Sequence, residues 1–172
     1  FILGILILTA TGYFVISYFS SGFGGDTHPL KGQSAPELKL KTMDGSELQL
    51  SSIVNGKKAI VIDFWATWCG PCRKALPTLE KLAQGYNSNQ VIFLGINVWD
   101  GDIAEIKKFL KANDIKTVNI LLDKEENASQ KYSFNGIPAI FILDSNMKVH
   151  TFFSGYSSSL DSEIKKNIDS LL

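Results

Sequence analysis

The stretch "DFWATWCGPCRKALP", from Asp63 to Pro77, holds both cysteines of the chain, two of its three tryptophans and two of its five prolines. Cys69 and Cys72 are separated only by Gly70 and Pro71. That spacing allows both sulfurs onto the first turn of a helix, near enough to close a very small disulfide ring. A cysteine at a helix N-terminus meets unpaired amide N–H groups and the positive end of the dipole, and both favour an anion. The thiol pKa there falls from ~8.5 toward ~7 or below, which makes a nucleophilic thiolate at neutral pH. In this reading Cys69 is the attacking sulfur. Cys72, one turn further in, is expected to be more buried and to resolve the mixed disulfide that Cys69 forms. Pro71 stiffens the turn and donates no backbone hydrogen bond, while Gly70 lets another chain approach closely.

Other chemistries for the pair fit less well. A zinc site takes about four ligands, and only His28 and His150 are available to supplement the cysteines, both distant in sequence. A c-type haem attachment needs His directly after the second cysteine, where this chain has Arg73. No metal site and no cofactor beyond the cysteine pair are therefore expected.

Asp63 interrupts the apolar run "AIVIDFW". An unpaired carboxylate inside such a strand costs several kcal/mol. Either it faces solvent at a strand edge, or it is a buried acid with a raised pKa that takes the proton of Cys72 during exchange. Pro138 opens another β-branched and aromatic run, at a strand's first position where proline is tolerated. "NGIP" is either an ordinary loop end or the site of a cis Ile137–Pro138 bond.

The elements that must position these residues can be read around them. "ELKLKTMDGSELQL" alternates Leu38 and Leu40, turns at Asp44-Gly45 and alternates Leu48 and Leu50, which predicts a hairpin. "KKAIVIDFWA" reads as a strand covered on both faces. Cys69 to Ala83 fits a helix with Leu76, Leu79 and Leu82 on one side and Pro77 kinking it. "QVIFLGINV" is a second buried strand. Residues 102–113 form an amphipathic helix with Asp102 as cap and Glu105 at the capping-box position. "TVNILLD", "PAIFILD" and "KVHTFF" are further strands, the last two joined by a turn at Ser145-Asn146. Residues 127–132 read as a short helix, with Asn127 of a glycosylation-type sequon taken as its cap. Residues 160–172 close the chain as a helix. Strands separated by helices give an α/β sheet, to which the late hairpin adds antiparallel strands.

The bulk numbers agree. With 17 basic and 17 acidic residues the formal charge is zero, which gives no electrostatic reason to expect nucleic-acid binding. Two cysteines are too few for a disulfide scaffold, and 172 residues can build a core without one. From Phe1 to Gly25 there is no charged side chain. As a helix, residues 1–19 would be about 28 Å long, close to the ~30 Å hydrocarbon core of a bilayer. They read as one transmembrane anchor, with a cleaved signal peptide as the rival. Residues 20–34 read as a linker and 35–172 as the globular domain. Lys31 is the only basic residue between Ser20 and Leu38, and so sparse a flank suits translocation, with the domain outside the cytoplasm.

"WCGPC", together with Asp63, Pro77 and Ile137-Pro138, resembles the thioredoxin fold. More narrowly, "APELKL…DGSELQLSSIVNGKKAIVIDFWATWCGPCRKALP" is similar to the membrane-anchored TlpA/ResA-type thiol-disulfide reductases of bacteria. The likeness runs over 35–172, with an N-terminal hairpin and an inserted helix and strand at 102–122. It implies that Cys69 attacks and Cys72 resolves. It further implies that Pro138 is cis and faces the disulfide, that Ile137 offers backbone hydrogen bonds to an incoming peptide, and that Trp68 flanks the groove beside Gly70 and Pro71. The implied activity is reduction of disulfides in client proteins from the outer face of a bacterial cell membrane, recharged by a membrane electron donor. Apocytochrome c, with its CXXCH disulfide, is one client class and general disulfide repair another. One departure is visible: several cytochrome-maturation members carry Glu three residues after the second cysteine, where this chain has Ala75. The alternatives are a disulfide-forming oxidase, a thiol peroxidase of the peroxiredoxin type, and a binding module with an inert disulfide. The peroxidase would want Thr or Ser where Ala66 stands.

Overall fold

A computed structural model of the chain describes residues 6–8, 14–16 and 28–172, apart from Gly101, Lys124 and Glu126. Most of the segment expected to span a membrane therefore lies outside the described residues. Where it is described, Leu6–Leu8 (β1) and Phe14–Ile16 (β2) pair as two short antiparallel strands. Gly4 and Gly12, with β-branched Thr9, Thr11, Val15 and Ile16, lower the helix propensity of this run. No helix among the described residues is long and apolar enough to cross a membrane.

The Asp44-Gly45 turn joins Lys39–Lys41 (β3) to Glu47–Gln49 (β4) as the alternating leucines require, with Gly45 at φ 94° where a side chain would be strained. Strand pairing stops one residue before Leu50, because Leu50–Val54 forms a short helix (α1) instead. That helix was not legible in "QLSSIV", whose spacing suits a strand as well as a single turn.

Ala59–Trp65 (β5) is buried at every residue. It lies between Val91–Asn97 (β6), parallel to it, and Ala139–Asp144 (β8), antiparallel. Asn119–Leu122 (β7) extends the sheet parallel to β6, and Val149–Ser154 (β9) pairs antiparallel with β8. The seven strands run in the order β4-β3-β7-β6-β5-β8-β9. One face carries Cys72–Gln84 (α2), Ile103–Ala112 (α3) and Leu160–Asp169 (α5), packed through Leu76, Leu79, Phe109 and Ile164. The other face carries α1 and Ala128–Lys131 (α4), with Leu50, Val54 and Tyr132 inward. This is a thioredoxin-like α/β sandwich with a mixed sheet, in which the β3–β4 hairpin lies at the edge beyond β7.

Four local expectations change in detail. α2 begins at Cys72 and not at Cys69, which lies in the turn ahead of it; Pro71 already has helical angles, φ −61° and ψ −36°. Asp102 does cap α3, accepting a 2.7 Å bond from the Ala104 N–H, while Glu105 pairs with Lys108. Asn127 does not cap α4 with its side chain. It donates to Glu125 at 2.8 Å, and Asp123 accepts the Ala128 N–H at 2.9 Å instead. Residues 28–34, in the stretch read as linker, lie against the sheet. Gly32 N–H donates to Val149, and the His28 ring packs on Phe141 and Phe152.

Candidate active site

β5 and β6 are parallel, so the loops at their carboxyl ends emerge at one edge of the sheet, where open α/β sheets place their ligand sites. The β5 loop carries Trp68, Cys69, Gly70 and Pro71, then turns into α2. The β6 loop carries Trp99 and Asp100. A third loop, before β8, carries Ile137 and Pro138.

Cys69 and Cys72 form a disulfide, with Cα atoms 5.2 Å apart. Cys69 is 5% exposed and Cys72 fully buried, so an incoming sulfur meets Cys69 first. The Cys72 backbone N–H donates to Cys69 Sγ at 3.1 Å. In the reduced protein the same N–H, at the start of α2, faces the Cys69 thiolate, which is the helix-terminus stabilisation expected for the attacking group. Gly70 and Pro71 are both exposed at the rim, and a Cβ on Gly70 would meet nothing within 4 Å, so the approach over it is open.

The Ile137–Pro138 bond is cis, and the Ile137 carbonyl oxygen lies 3.5 Å from Cys69 Sγ. The structure thus brings Pro138 and Ile137 to the disulfide across the sheet. Trp68 stands beside the cysteines with 62% of its surface exposed.

Asp63 is fully buried, and neither carboxylate oxygen has a hydrogen-bond partner among the described residues. The strand-edge alternative is thereby excluded. Strand alternation puts it on the same sheet face as Val61 and Trp65, in the layer that also holds Cys72, Leu76 and Leu79. Its register neighbours Gly95 and Ile140 bring no charge. Burial without compensation raises its pKa from 3.8 to about 8. The carboxyl thus faces the layer that holds the helix beginning with Cys72.

Two residues of the site were missed from sequence. Asp100 accepts from the Thr67 N–H at 2.7 Å, from Thr67 Oγ1 at 2.9 Å and from Asn97 Nδ2 at 2.7 Å, tying the active-site loop to the end of β6. Trp99 stacks on Trp68 with ring centroids 6.5 Å apart. An aromatic residue in a Gly/Asp-rich turn at the carboxyl end of a parallel strand was the available signal. His150 is not part of the site: its ring lies 3.3 Å from Ser170 Oγ, at the carboxyl end of α5. Among the described residues no cluster of His, Cys, Asp or Glu can hold a metal ion.

Residues 31–152 match the AhpC/TSA family. The chain belongs to that family. Relatives include the thiol-disulfide oxidoreductase ResA of Geobacillus thermodenitrificans, 28% identical over 97% of this chain and 91% of that protein. The thioredoxin-like protein YneN of Bacillus subtilis is 29% identical over 96% of each chain. Among solved structures, a Chlorobium tepidum protein described as a thiol:disulfide interchange protein DsbE superposes with a TM-score of 0.72. It is 26% identical, over 82% of this chain and 96% of that one. A bonded Cys-x-x-Cys pair at a helix start, in a chain with these relatives, makes this family member a thiol–disulfide oxidoreductase.

Proposed function

We propose that the protein works as a reductase of disulfides in other proteins, outside the cytoplasm. The reduced Cys69 thiolate attacks one sulfur of a client disulfide. A Cys69–client bond forms, the client bond breaks, and the leaving thiolate takes a proton from solvent. Cys72 then gives its proton to Asp63 in the fraction of molecules whose carboxyl is ionised, the minor form at pH 7 with a pKa of about 8, and attacks Cys69 Sγ. The Cys69–Cys72 bond forms, the mixed disulfide breaks, and the second client thiolate leaves and is protonated. The client gains two electrons and two protons, and the dithiol becomes the disulfide.

The observation that carries the reducing direction is the makeup of the small ring. Gly70 and Pro71 place no charged or hydrogen-bonding side chain beside Cys69, whose sulfur accepts a backbone N–H from Cys72. A thiolate held this modestly suits a potential near the roughly −270 mV of thioredoxin, not the roughly −120 mV of strongly oxidising DsbA. Equilibration of the full chain in glutathione or dithiothreitol buffers tests this. A potential below about −220 mV supports the reductase, and one near −120 mV replaces it with a disulfide-forming oxidase. The mechanism has its own test. A reduced Cys72→Ser variant should accumulate a mixed disulfide with insulin, and Cys69→Ser should form none.

Family membership raises the peroxidase as a second reading. Ala66 in place of Thr or Ser, and a partner cysteine already bonded three residues away, stand against it. Consumption of hydrogen peroxide by the dithiol at a rate exceeding insulin reduction would reverse the order.

Residues 1–19 are the proposed tether. An isolated two-stranded hairpin leaves backbone groups unpaired, which water tolerates and hydrocarbon does not, so in a bilayer this uncharged run would take the helical form. A membrane thiol relay would recharge the pair. Apocytochrome c is one proposed client class. Ala75, where several cytochrome-maturation members have Glu, favours a broader range.

A further inference from the structure

The three loops around the disulfide are joined by a row of aromatic rings. Trp68, next to Cys69, stacks on Trp99 at 6.5 Å with their planes 20° apart. Trp99 lies 6.1 Å from Phe134, and Phe134 lies 4.7 Å from Phe64 in the core. The row thus runs from the rim of the disulfide inward, and Phe134 leads into the Ile137–Pro138 loop. Its outer end is uncovered: Trp68 is 62% and Trp99 40% exposed.

Trp99 holds its place at a cost. Its backbone φ is +58°, in the left-handed region that a bulky residue adopts only when its surroundings demand it. The neighbouring Asp100 carboxylate, bonded to Thr67 and Asn97, fixes the turn, and Trp68 Nε1 lies 3.4 Å from the Trp99 carbonyl oxygen. An exposed indole held in an unfavourable backbone conformation does little for the core. Its surface is continuous with the face at which any client sulfur must reach Cys69.

We infer that Trp99 is a specificity-determining residue: with Trp68 it forms an apolar shelf that takes a bulky apolar or aromatic side chain next to the client's cysteine. The occupant is the disulfide-bearing segment of a client protein, because the shelf begins at Trp68, next to Cys69, and Cys69 is the more exposed of the two cysteines. The inference rests on the reductase reading above and adds which clients that reductase selects.

The test uses the pre-reduced full chain and two peptide disulfides identical except for Phe or Ser beside each cysteine. Single-turnover rates give a selectivity ratio. The wild-type protein should prefer the Phe peptide by about tenfold, the scale on which one apolar contact discriminates. Trp99→Gly removes the ring where glycine suits the backbone, so folding is not the obstacle. In that variant the ratio should collapse toward one, and Trp99→Phe should keep most of it. A ratio unchanged in Trp99→Gly, or both peptides slowed in proportion, overturns the inference. So does a wild-type protein with no preference. A dimer of the wild-type chain that Trp99→Gly converts to monomer would assign the shelf to a second copy, again overturning it. A wild-type dithiol that reduces neither peptide nor insulin takes down the reductase reading, and the inference with it.

Discussion

Replacing Asp63 by Asn should make the oxidised protein more stable, and increasingly so as pH rises. Asp63 is buried without a partner for either oxygen, and its pKa is raised from 3.8 to about 8. Below pH 3.8 the carboxyl is neutral in the folded and unfolded chains alike, and Asp63 costs about what Asn would. Between 3.8 and about 8 the unfolded chain releases the proton while the folded chain keeps it, so stability falls as pH rises; above about 8 the fall is complete. Each tenfold change in proton affinity is about 1.36 kcal/mol, so the loss attributable to Asp63 reaches about 4 kcal/mol at pH 7. For a domain of this size that corresponds to a melting-temperature gain on the order of 10 °C in Asp63→Asn.

Urea unfolding of both proteins, disulfide intact and followed by tryptophan fluorescence, measures the difference at pH 4.5, 7 and 8.5. The disulfide removes the cysteines as titrating groups, so the difference between the curves isolates Asp63. The reduced variant should at the same time resolve its mixed disulfide about 10²-fold more slowly, having lost the acceptor for the Cys72 proton. A stability difference that does not change between pH 4.5 and 8.5 would refute the assignment of a buried, neutral acid. A pH-dependent stability difference with unaltered resolution kinetics would leave Asp63 buried but remove it from the mechanism.

Three other substitutions follow from the packing. Gly95→Ala would put a Cβ 2.9 Å from Ile120 Cδ1 and 3.2 Å from Trp65 Nε1. It should cost about 1–3 kcal/mol by overpacking, read as an earlier urea midpoint at unchanged slope. Buried Glu80 accepts from the Thr117 and Val118 N–H groups at 2.9 and 3.0 Å, which offset its burial and hold its pKa low. Glu80→Gln should destabilise the domain by about 2 kcal/mol at pH 7, and the gap should close as acid protonates the wild-type carboxylate below its ordinary 4.5. Asp100→Ala should free the Thr67 loop and slow attack on a client disulfide up to about 10²-fold, since small misplacements of a reacting group are that costly. Single-turnover kinetics on insulin would show it.

What could be read in advance was what the chain carries in continuous stretches. The cysteine spacing, the apolar run of β5 and the leucine alternation of the hairpin each specify a local structure without help from elsewhere. Asp63 marked the limit of that information. β5 is buried on both faces, so strand alternation named the same-side neighbours of Asp63 but not what lay opposite. Only the crossing of α2 settles that the carboxyl shares a layer with Cys72. The Asp100–Thr67 bonds, the Glu80 bonds to β7 and the capping of α4 by Asp123 in place of Asn127 join residues that no spacing rule relates. α1 was lost for another reason: five residues hold about one turn, too little for a 3.6-residue period to stand out from a strand's.

Trp99 and Asp100 are adjacent, yet their side chains act in different directions, and that separates positioning from recognition at this site. Asp100 reaches sideways to Thr67 and so bears on where Cys69 stands. Trp99 faces outward beside Trp68 and bears on what Cys69 meets. Loss of the Asp100 carboxylate should therefore slow exchange with every disulfide, apolar neighbours or not, because the attacking sulfur itself is displaced. Loss of the Trp99 ring should sort disulfides by their neighbours and leave the sulfur where it was. If Asp100→Ala changed the selectivity ratio as strongly as Trp99→Gly, the two residues would be one structural unit, and the shelf would be a by-product of the loop's rigidity instead of a surface that chooses clients.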